Sequence, residues 1–290
     1  MKNYGLIIRP YKKHQWIMGS GKATNKLGAD ASEINKKGDW SKGDSDKELQ
    51  RKNGFETQNC TNHGTHLALI ALAKHKGYKH FPQNCSERYP GIGTGTSIEG
   101  NDAWHVIETV ATKLGVIHEE ILPFSENIHG WDEYYSPSKN STDYQNLVQV
   151  GQEIIRETEI EPEWVLPPGN LYTQKEKRER IKAALKRGPV CVSVQAWSKK
   201  NGLYTKGIGL RDNHWVWLMK YEGDNPIIRD HYEPFIKKLD KDYDFNIAIV
   251  YFMRPNPTKV LPKDKPLYLK LLKSLLSLLQ ELKIRLGWGG

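Results

Sequence analysis

A buried helix with a cysteine at its start is the feature that most constrains this chain. The stretch GFETQNCTNHGTHLALIALAKHKG, residues 54–77, is mostly apolar in its middle, which predicts a helix packed in a protein core. Thr57 is the predicted N-cap, and Gly77 is the predicted end of the helix. Cys60 then lies in the first turn, where the helix dipole stabilises a thiolate and lowers the pKa of a cysteine. Cys60 is therefore either a nucleophile or a small core residue, because cysteines on apolar helices are usually core residues.

Composition limits the class of protein and the partners it can take. Of the 290 residues, 38% are hydrophobic and 27% are charged, which is typical of a globular protein. The formal net charge of +9 favours acidic partners, but the lysines are spread along the chain, so no nucleic acid is expected. Three cysteines cannot form a disulfide framework. We expect a cytoplasmic or other intracellular protein, since neither a signal peptide nor a membrane-spanning run is recognisable.

The residue pattern changes from helical to extended in the second half of the chain. Apolar spacing predicts helices over 101–114 and 176–186, and a helical patch over 147–155 within the aromatic and acidic stretch 131–168. Apolar and alternating runs predict strands over 190–197, 213–221, 226–231 and 245–253. We therefore predict an α+β fold in which a helical part packs against an antiparallel β part, with a cleft between them.

Two residues of the β half can complete a site around Cys60. A thiolate nucleophile needs a base that holds and returns its proton, and the base needs a neighbour that orients it. His214 starts one predicted strand, and Asp230 ends the next, so an antiparallel pairing brings the two side chains together. Taken one at a time, His214 is also explained as a half-buried strand histidine and Asp230 as a surface carboxylate.

Four stretches of the chain together resemble the papain-like cysteine peptidases, over residues 38–253. GPVCVSVQAWSKKNGLYTKGIGLRDNHWVWLMKYEG is similar to the family's approach to its catalytic histidine, and IIRDHYEP stands where the family has its Asn-Ser-Trp element. GDWSKG, with Asp39 and Trp40, resembles the opening of the mature family domain. SIEGNDAWHVIETVATKLGVIHEEILPF resembles the segment that lines one wall of the substrate cleft.

The resemblance implies a peptidase that hydrolyses a polypeptide substrate without a cofactor or metal, in a compact prokaryotic or phage-type form. It implies a helical left subdomain packed against an antiparallel β-barrel-like right subdomain, with the active-site cleft between them. It divides the chain into an N-terminal extension (1–37), the peptidase domain (38–254) and a C-terminal tail (255–290). The implied catalytic residues are Cys60, His214 and Asp230. The implied oxyanion-hole residue is Gln50, and the implied substrate-binding residues are Glu99, Gly100 and Asn213.

The chain departs from the family pattern at several positions. The sequence around the cysteine is QNCTNH, and Gln50 precedes Cys60 by ten residues, which implies an insertion in the oxyanion loop. Gln58, two residues before Cys60, is the rival for the oxyanion role. The orienting residue is Asp230, where the family more often has Asn. The stretch before Asp39 is shorter than a typical inhibitory propeptide, so activation by propeptide removal is not expected.

Other classes of function stay open at this point. Cys60, His63 and His66 can be interpreted as C-x2-H-x2-H metal ligands with Cys85 nearby, although this spacing drifts around a helix. A cysteine amidase acting on cell-wall peptides would use similar chemistry. A non-catalytic interaction module could keep the fold, but retention of Cys60, His214 and Asp230 argues against it.

The tail has its own pattern. Residues 256–266, NPTKVLPKDKP, are a Pro-rich linker, and leucines over 267–286 recur at helical spacing, which predicts an amphipathic helix. This helix is suited to self-association or to docking on a partner helix. A membrane-surface contact is the less favoured alternative, and its basis is the basic residues Lys270, Lys273, Lys283 and Arg285.

Overall fold

The computed structural model of the chain describes residues 4–256, except residues 13, 19–31, 45–48 and 208–209. Within these residues the helices are α1 (Cys60–Lys76), α2 (Arg88–Thr94), α3 (Ala103–Thr109), α4 (Trp131–Tyr134), α5 (Thr142–Ile155) and α6 (Gln174–Arg187). The strands are β1 (Leu6–Ile7), β2 (Arg51–Lys52), β3 (Phe55–Glu56), β4 (Asn101–Asp102), β5 (Thr158–Leu166), β6 (Val190–Val194), β7 (Ser198–Lys200), β8 (Leu203–Thr205), β9 (His214–Glu222), β10 (Asn225–Arg229), β11 (Ile236–Lys238) and β12 (Ala248–Pro255).

One antiparallel sheet of six strands forms the β half, in the order β11-β10-β9-β6-β12-β5. Its central strands are apolar runs that are buried along nearly their whole length, as expected for strands covered on both faces. Strands β9 and β10 form a hairpin in which Arg229 pairs with Trp217. The hairpin therefore brings the residue that follows β10 back towards the start of β9.

Helix α1 packs across this sheet and joins the two halves of the protein. Every residue from Cys60 to Ala73 is buried, so the helix is enclosed by protein on all sides. Gly64 allows the close approach, because a Cβ atom there would lie 3.0 Å from Cδ1 of Trp215 on β9. The helix ends at Gly77, which has the left-handed conformation (φ 73°) that glycine adopts easily.

The predicted α+β fold is confirmed, and each predicted strand of the β half overlaps one of β6, β9, β10 and β12. The sheet runs between β11 and β5 as its edge strands in the described part of the chain, so the predicted barrel-like shape is not a closed barrel. The predicted helix over 101–114 begins at Ala103, capped by the Asp102 side chain, and continues to Leu114 through a widened final turn.

Two local predictions are wrong. The N-cap of α1 is Asn59, not Thr57, whose hydroxyl donates instead to the backbone oxygen of Gln50 (3.0 Å). Strand β5 was not predicted, because its sequence TEIEPEWVL contains three acidic residues and a proline. It pairs with β12 at the edge of the sheet, where Pro162 and the half-buried Glu159 and Glu161 are tolerated.

Residues 16–18 of the N-terminal extension pack against β5, where Met18 N–H donates to the Trp164 oxygen (2.8 Å). The predicted helix over 267–286 lies outside the described residues. No helix in the described ranges has the length and apolar character needed to cross a membrane.

Candidate active site

The start of α1 is fixed by a buried polar network around Asn59. The Asn59 amide nitrogen donates to the Glu87 backbone oxygen (2.8 Å) and to the Tyr134 hydroxyl (3.0 Å). The Asn59 amide oxygen accepts from the Asn62 side chain (2.6 Å). These bonds tie the first turn of α1 to α2 and α4. Cys60, the first residue of the helix, is consequently held in a fixed position and is fully buried.

His214 and Asp230 form a buried pair at the β9–β10 hairpin. Nε2 of His214 lies 2.7 Å from Oδ1 of Asp230, and neither side chain is exposed. The same carboxylate oxygen accepts the backbone N–H of His231 (2.7 Å). Because a carboxylate only accepts hydrogen bonds, Nε2 of His214 carries the proton of this bond. Nδ1 of His214 is buried and has no hydrogen-bond partner among the described residues, so it is available as a base.

Cys60 lies beside this pair because α1 packs on β9. The backbone N–H of Trp215, the residue after His214, interacts with the Cys60 thiol. The charge of Asp230 also acts on the thiol. The three residues predicted from the sequence to act together therefore lie at one junction between the helix and the sheet.

The predicted lowering of the Cys60 pKa is not found. Burial raises the pKa of the Cys60 thiol well above its ordinary value, and the negative charges of Glu56 and Asp230 raise it further. The backbone N–H groups of Trp215 and Thr61 act in the opposite direction but do not outweigh burial. A fully buried thiolate loses its hydration, and this cost exceeds the favourable position at the helix start.

The pKa of Asp230 is shifted in the opposite direction, below its ordinary value. Burial raises the pKa of its carboxyl group, but the electrostatic attraction and hydrogen bond of His214 and the positive charge of Lys237 outweigh that effect and hold the pKa below its usual range. Nζ of Lys237 lies 2.7 Å from Oδ2 of Asp230. Asp230 is therefore ionised at neutral pH and remains a hydrogen-bond acceptor for His214.

The N-terminal residues 4–7 cross this site. The Tyr4 N–H donates to the Asn213 backbone oxygen (3.2 Å), and the Tyr4 ring lies 5.6 Å from the His214 ring. The backbone oxygen of Gly5 accepts from Asn101 N–H (2.9 Å), and β1 pairs with β4 in parallel. The short extension had given no reason to expect a cover over the site, yet this segment lies on the His214 side chain.

Gln50 and Gln58, the two candidates for the oxyanion role, differ in what they face. The buried Gln50 amide nitrogen donates to the Tyr4 backbone oxygen (2.9 Å) and to Oε1 of Glu56 (2.8 Å). Gln58 donates its backbone N–H to Glu56 (3.2 Å), and its backbone oxygen faces Gly5. Of these two glutamines, Gln50 is the one whose side-chain amide is bonded to a carbonyl of residues 4–7 within the described residues.

Two of the three predicted substrate-binding residues, Gly100 and Asn213, contact the same segment. Gly100 touches Gly5 so closely that a Cβ atom on Gly100 would be 2.0 Å from the Gly5 oxygen. Asn213 accepts the Tyr4 N–H through its backbone. Glu99 is exposed in the turn that precedes Gly100 and donates its backbone N–H to the Ser97 hydroxyl (3.2 Å).

The alternative metal site does not assemble from its proposed ligands. Among the described residues, the potential ligands that lie within 4.8 Å of one another are His214, Asp230 and His231, not Cys60, His63 and His66. Burial lowers the pKa of His66 and of His231 to about 3, so both are neutral at physiological pH. His63 stacks on His231 at 4.8 Å, and Cys85 is buried with its sulfur 4.0 Å from the Pro82 oxygen.

Four residues of the site were missed in the sequence: Tyr4, Glu56, Tyr232 and Lys237. Glu56 accepts from Gln50 and from the Tyr232 hydroxyl (2.6 Å), and so links the Gln50 loop to the His214 hairpin. None of the four lies in a motif, because their contacts join segments that are far apart in the sequence. The one available sign in the sequence is the charged Glu56 in FETQNC, close to Cys60, and a single charge near a cysteine is weak evidence for a site residue.

We expect Gly5→Ala to open the site. Gly5 has φ 102°, and a Cβ atom there would lie 2.1 Å from the Gln58 oxygen, so the segment cannot stay in place. Alkylation of Cys60 by iodoacetamide should become about tenfold faster or more, since overpacking of this kind costs about 1–3 kcal/mol. Mass spectrometry of the alkylated peptide over time measures the rate.

Gly223→Ala is the matched control for this experiment. Gly223 also has a positive φ (61°), but nothing lies within 4 Å of a Cβ atom at that position. It reproduces the backbone strain without touching the cleft. Equal alkylation rates in the two variants and the unmodified protein would mean that residues 4–7 do not shield Cys60.

Comparison with known proteins agrees with this geometry at the level of the fold. No family model and no curated protein sequence matches the chain. Among solved structures, it is similar to xylellain, a cysteine protease from Xylella fastidiosa, with a TM-score of 0.57 and 13% identity over 88% of this chain and 96% of that one. It is also similar to the proform of the Amb a 11 cysteine protease, a ragweed pollen allergen, with a TM-score of 0.51 and 16% identity over 79% of this chain and 69% of that one. The chain therefore has the fold of the papain-like cysteine proteases.

Proposed function

We propose that the chain is a cysteine peptidase that hydrolyses peptide bonds. Cys60 is the nucleophile, His214 is the general base and acid, and Asp230 orients His214. The backbone N–H of Cys60 and the side-chain amide of Gln50 are the donors of the oxyanion hole. The peptide substrate lies along Gly100 and Asn213, where residues 4–7 lie in the covered protein.

The observation that carries this proposal is the direction of the His214 ring. Its Nε2 is bonded to Asp230 at 2.7 Å, which leaves the buried Nδ1 without a partner in the described part of the chain. The neighbouring residue Trp215 contacts the Cys60 thiol through its backbone. Nucleophilic catalysis requires an imidazole that is oriented by a carboxylate and keeps its second nitrogen free to take a proton, close to a thiol.

The reaction then takes two steps that balance in protons and bonds. The Cys60 thiol gives its proton to Nδ1 of His214 as the sulfur bonds to the substrate carbonyl carbon, and the oxygen becomes an oxyanion. The C–N bond breaks when His214 returns the proton to the leaving amine, which leaves a thioester. Water then gives a proton to His214, attacks the thioester carbon and releases the acid. Finally His214 returns the proton to the sulfur.

The raised pKa of Cys60 fits a covered resting state. While the thiol is fully buried, its pKa is high and the neutral thiol is favoured. His214 must therefore take the proton during attack, and we expect opening of the cleft to make this transfer easier. Peptide hydrolysis by Cys60 therefore depends on His214.

The oxyanion hole gives a prediction that separates two neighbouring glutamines. Loss of one oxyanion donor costs about 100- to 1000-fold in turnover. Gln50→Ala should therefore lower kcat by this factor, whereas Gln58→Ala should change it little. Turnover of a peptide substrate by the two folded variants decides between them. If Gln58→Ala has the larger effect, the oxyanion role belongs to Gln58.

The proposal is tested with a mixture of ordinary peptides. Mass spectrometry should find new termini at internal peptide bonds after incubation with the protein, and none after incubation with Cys60→Ala. Gly5→Ala is included so that a covered site cannot hide the activity. Release of products from cell-wall peptides alone would make the chain a cysteine amidase. Intact peptides of every kind with the Gly5→Ala protein would mean a non-catalytic module and would contradict the proposal.

A further inference from the structure

A buried lysine contacts the orienting carboxylate of the site. Lys237 lies on β11, and its side chain is only 2% exposed. Its Nζ lies 2.7 Å from Oδ2 of Asp230, and it donates to the backbone oxygens of Tyr232 (2.6 Å) and Pro234 (2.7 Å). A charged lysine is rarely buried without such partners. Its surroundings therefore match an ammonium group.

The geometry also indicates that Lys237 is protonated. An ammonium group has three N–H donors; Nζ donates to two backbone oxygens and forms an ion pair with Oδ2 of Asp230. The Trp197 ring lies 5.2 Å from Nζ, which adds a favourable cation–π contact and covers the group. Burial lowers the pKa of Lys237, but the Asp230 charge opposes that effect.

Asp230 is thus held from two sides. Its Oδ1 accepts from His214 and from the backbone of His231, and its Oδ2 faces Lys237. A carboxylate on a single bond to His214 could rotate about its side-chain torsion, because that torsion is broad. The ion pair with Lys237 removes this freedom.

We propose that Lys237 is a positioning residue, which fixes the Asp230 carboxylate so that Oδ1 holds the His214 imidazole in its working orientation. This inference rests on the proposed function of the site. Lys237 acts through Asp230, and the part assigned to it is the alignment of the base.

Lys237 is not the only charged or titratable group near the His214–Asp230 pair. Charged groups near the pair, besides Lys237, are Glu56 and Arg229, and Arg229 pairs with Asp44 at 3.0 Å. Titratable groups near the pair are Tyr4, Cys60, His63, His231 and Tyr232. Burial holds the His231 pKa near 3 and raises that of Tyr232, so both are neutral around pH 7. Arg229 also contacts Asp230, but at its backbone oxygen, so the cation that contacts the Asp230 carboxylate is Lys237.

The test compares Lys237 with the lysine next to it. Lys237→Met removes the charge and keeps much of the side-chain volume, and Lys237→Arg keeps the charge. Lys238→Met is the matched control, because Lys238 is 46% exposed and faces Glu222 at 3.5 Å. It changes the net charge by the same amount without touching Asp230. The full chain is used, and kcat and KM for a cleaved peptide are measured across pH.

We expect Lys237→Met to lower kcat by about 10- to 100-fold, the effect of losing a charge-assisted hydrogen bond, with KM nearly unchanged. Removing a cation favours the protonated imidazole, which cannot take the thiol proton, so the acidic limb of the kcat/KM profile should move to higher pH by about half a unit or more. Lys237→Arg should recover part of kcat and restore the profile. Lys238→Met should match the unmodified protein.

Results that contradict the role of Lys237 can be distinguished from results that contradict the proposed function. If the unmodified protein does not use Cys60 at all, the proposed function fails before Lys237 is considered. If Cys60 is the nucleophile but Lys237→Met keeps kcat and the pH profile while only its thermal stability falls, Lys237 is structural and the inference is overturned. Should Lys237→Met not fold, Lys237→Gln replaces it, since its amide can still donate to the Tyr232 and Pro234 oxygens. An unchanged kcat and pH profile in that variant overturns the inference equally.

Discussion

Cys60→Ala should lower kcat/KM for a cleaved peptide by about 10⁴-fold or more. Alanine cannot form the thioester, and the residues of a nucleophile–base pair act as a unit, so the loss of one removes nearly the whole effect. The fold should be kept, because the substitution removes only one sulfur atom from the start of α1. Circular dichroism and thermal unfolding check the fold, and peptide turnover measures the activity.

The other two cysteines are matched controls for this prediction. Cys85 and Cys191 are buried like Cys60, but Cys191 donates to the Gly64 backbone oxygen (3.1 Å) and Cys85 faces Pro82. Both pack in the core away from the His214–Asp230 pair. Cys85→Ala and Cys191→Ala should keep turnover within a few-fold while lowering stability by about 1 kcal/mol, as other small core truncations do. A large loss of turnover in either variant, with Cys60→Ala active, would contradict the assignment.

His214→Ala should lower kcat about as much as the loss of Cys60. In the proposed mechanism Nδ1 of His214 takes the thiol proton. Two other described histidines also lie near a carboxylate, but at the longer distances of 3.5 Å (His14–Glu108) and 3.7 Å (His63–Glu87), against 2.7 Å for His214. Asp230→Ala should cost at least about tenfold less than His214→Ala, because Asp230 orients and stabilises the imidazole but holds no proton of the reaction. Single-turnover rates of the two variants give the comparison.

His105→Ala serves as the control for the histidine substitution. His105 is exposed, and its Nε2 lies 3.2 Å from the Thr94 backbone oxygen, away from the pair. Its replacement should leave kcat unchanged. If Asp230→Ala were fully active while another carboxylate or amide proved essential, His214 would have a different orienter.

The parts of the site that could be predicted from the sequence are those encoded by local patterns. Cys60 starts an apolar helix that ends at glycine, and His214 starts a strand of alternating and apolar residues. Asp230 follows the strand that returns from it, and an antiparallel hairpin brings these two together by its register. The pairing at 2.7 Å follows from that topology.

The parts that could not be predicted depend on contacts between distant segments. Tyr4 contacts His214 although the two residues lie far apart in the sequence. The residue types at positions 4–7 give no sign that this segment covers the site. Lys237 is one of two adjacent lysines on β11, and only the fold decides which one is buried against Asp230. The pKa of Cys60 was predicted from the helix dipole alone, and the depth of burial that outweighs the dipole depends on the complete packing.

The N-cap shows the same limit on a small scale. Thr57 matches the usual capping residue, but its hydroxyl is taken by Gln50, and Asn59 is selected for its bonds to Glu87 and Tyr134. Glu87 immediately precedes α2 and Tyr134 ends α4, so the sequence around Thr57 does not reveal either partner. Capping propensity therefore located the helix start only to within two residues.

The most direct test of the account is to identify the residue that an electrophilic peptide probe modifies. The Gly5→Ala protein is treated with the probe and digested, and the labelled peptide is sequenced by mass spectrometry. We expect one label, on Cys60, lost in Cys60→Ala and slowed strongly in His214→Ala. Labelling on Cys85 or Cys191, or labelling of Cys60 at the same rate without His214, would contradict a Cys60–His214 nucleophile and base.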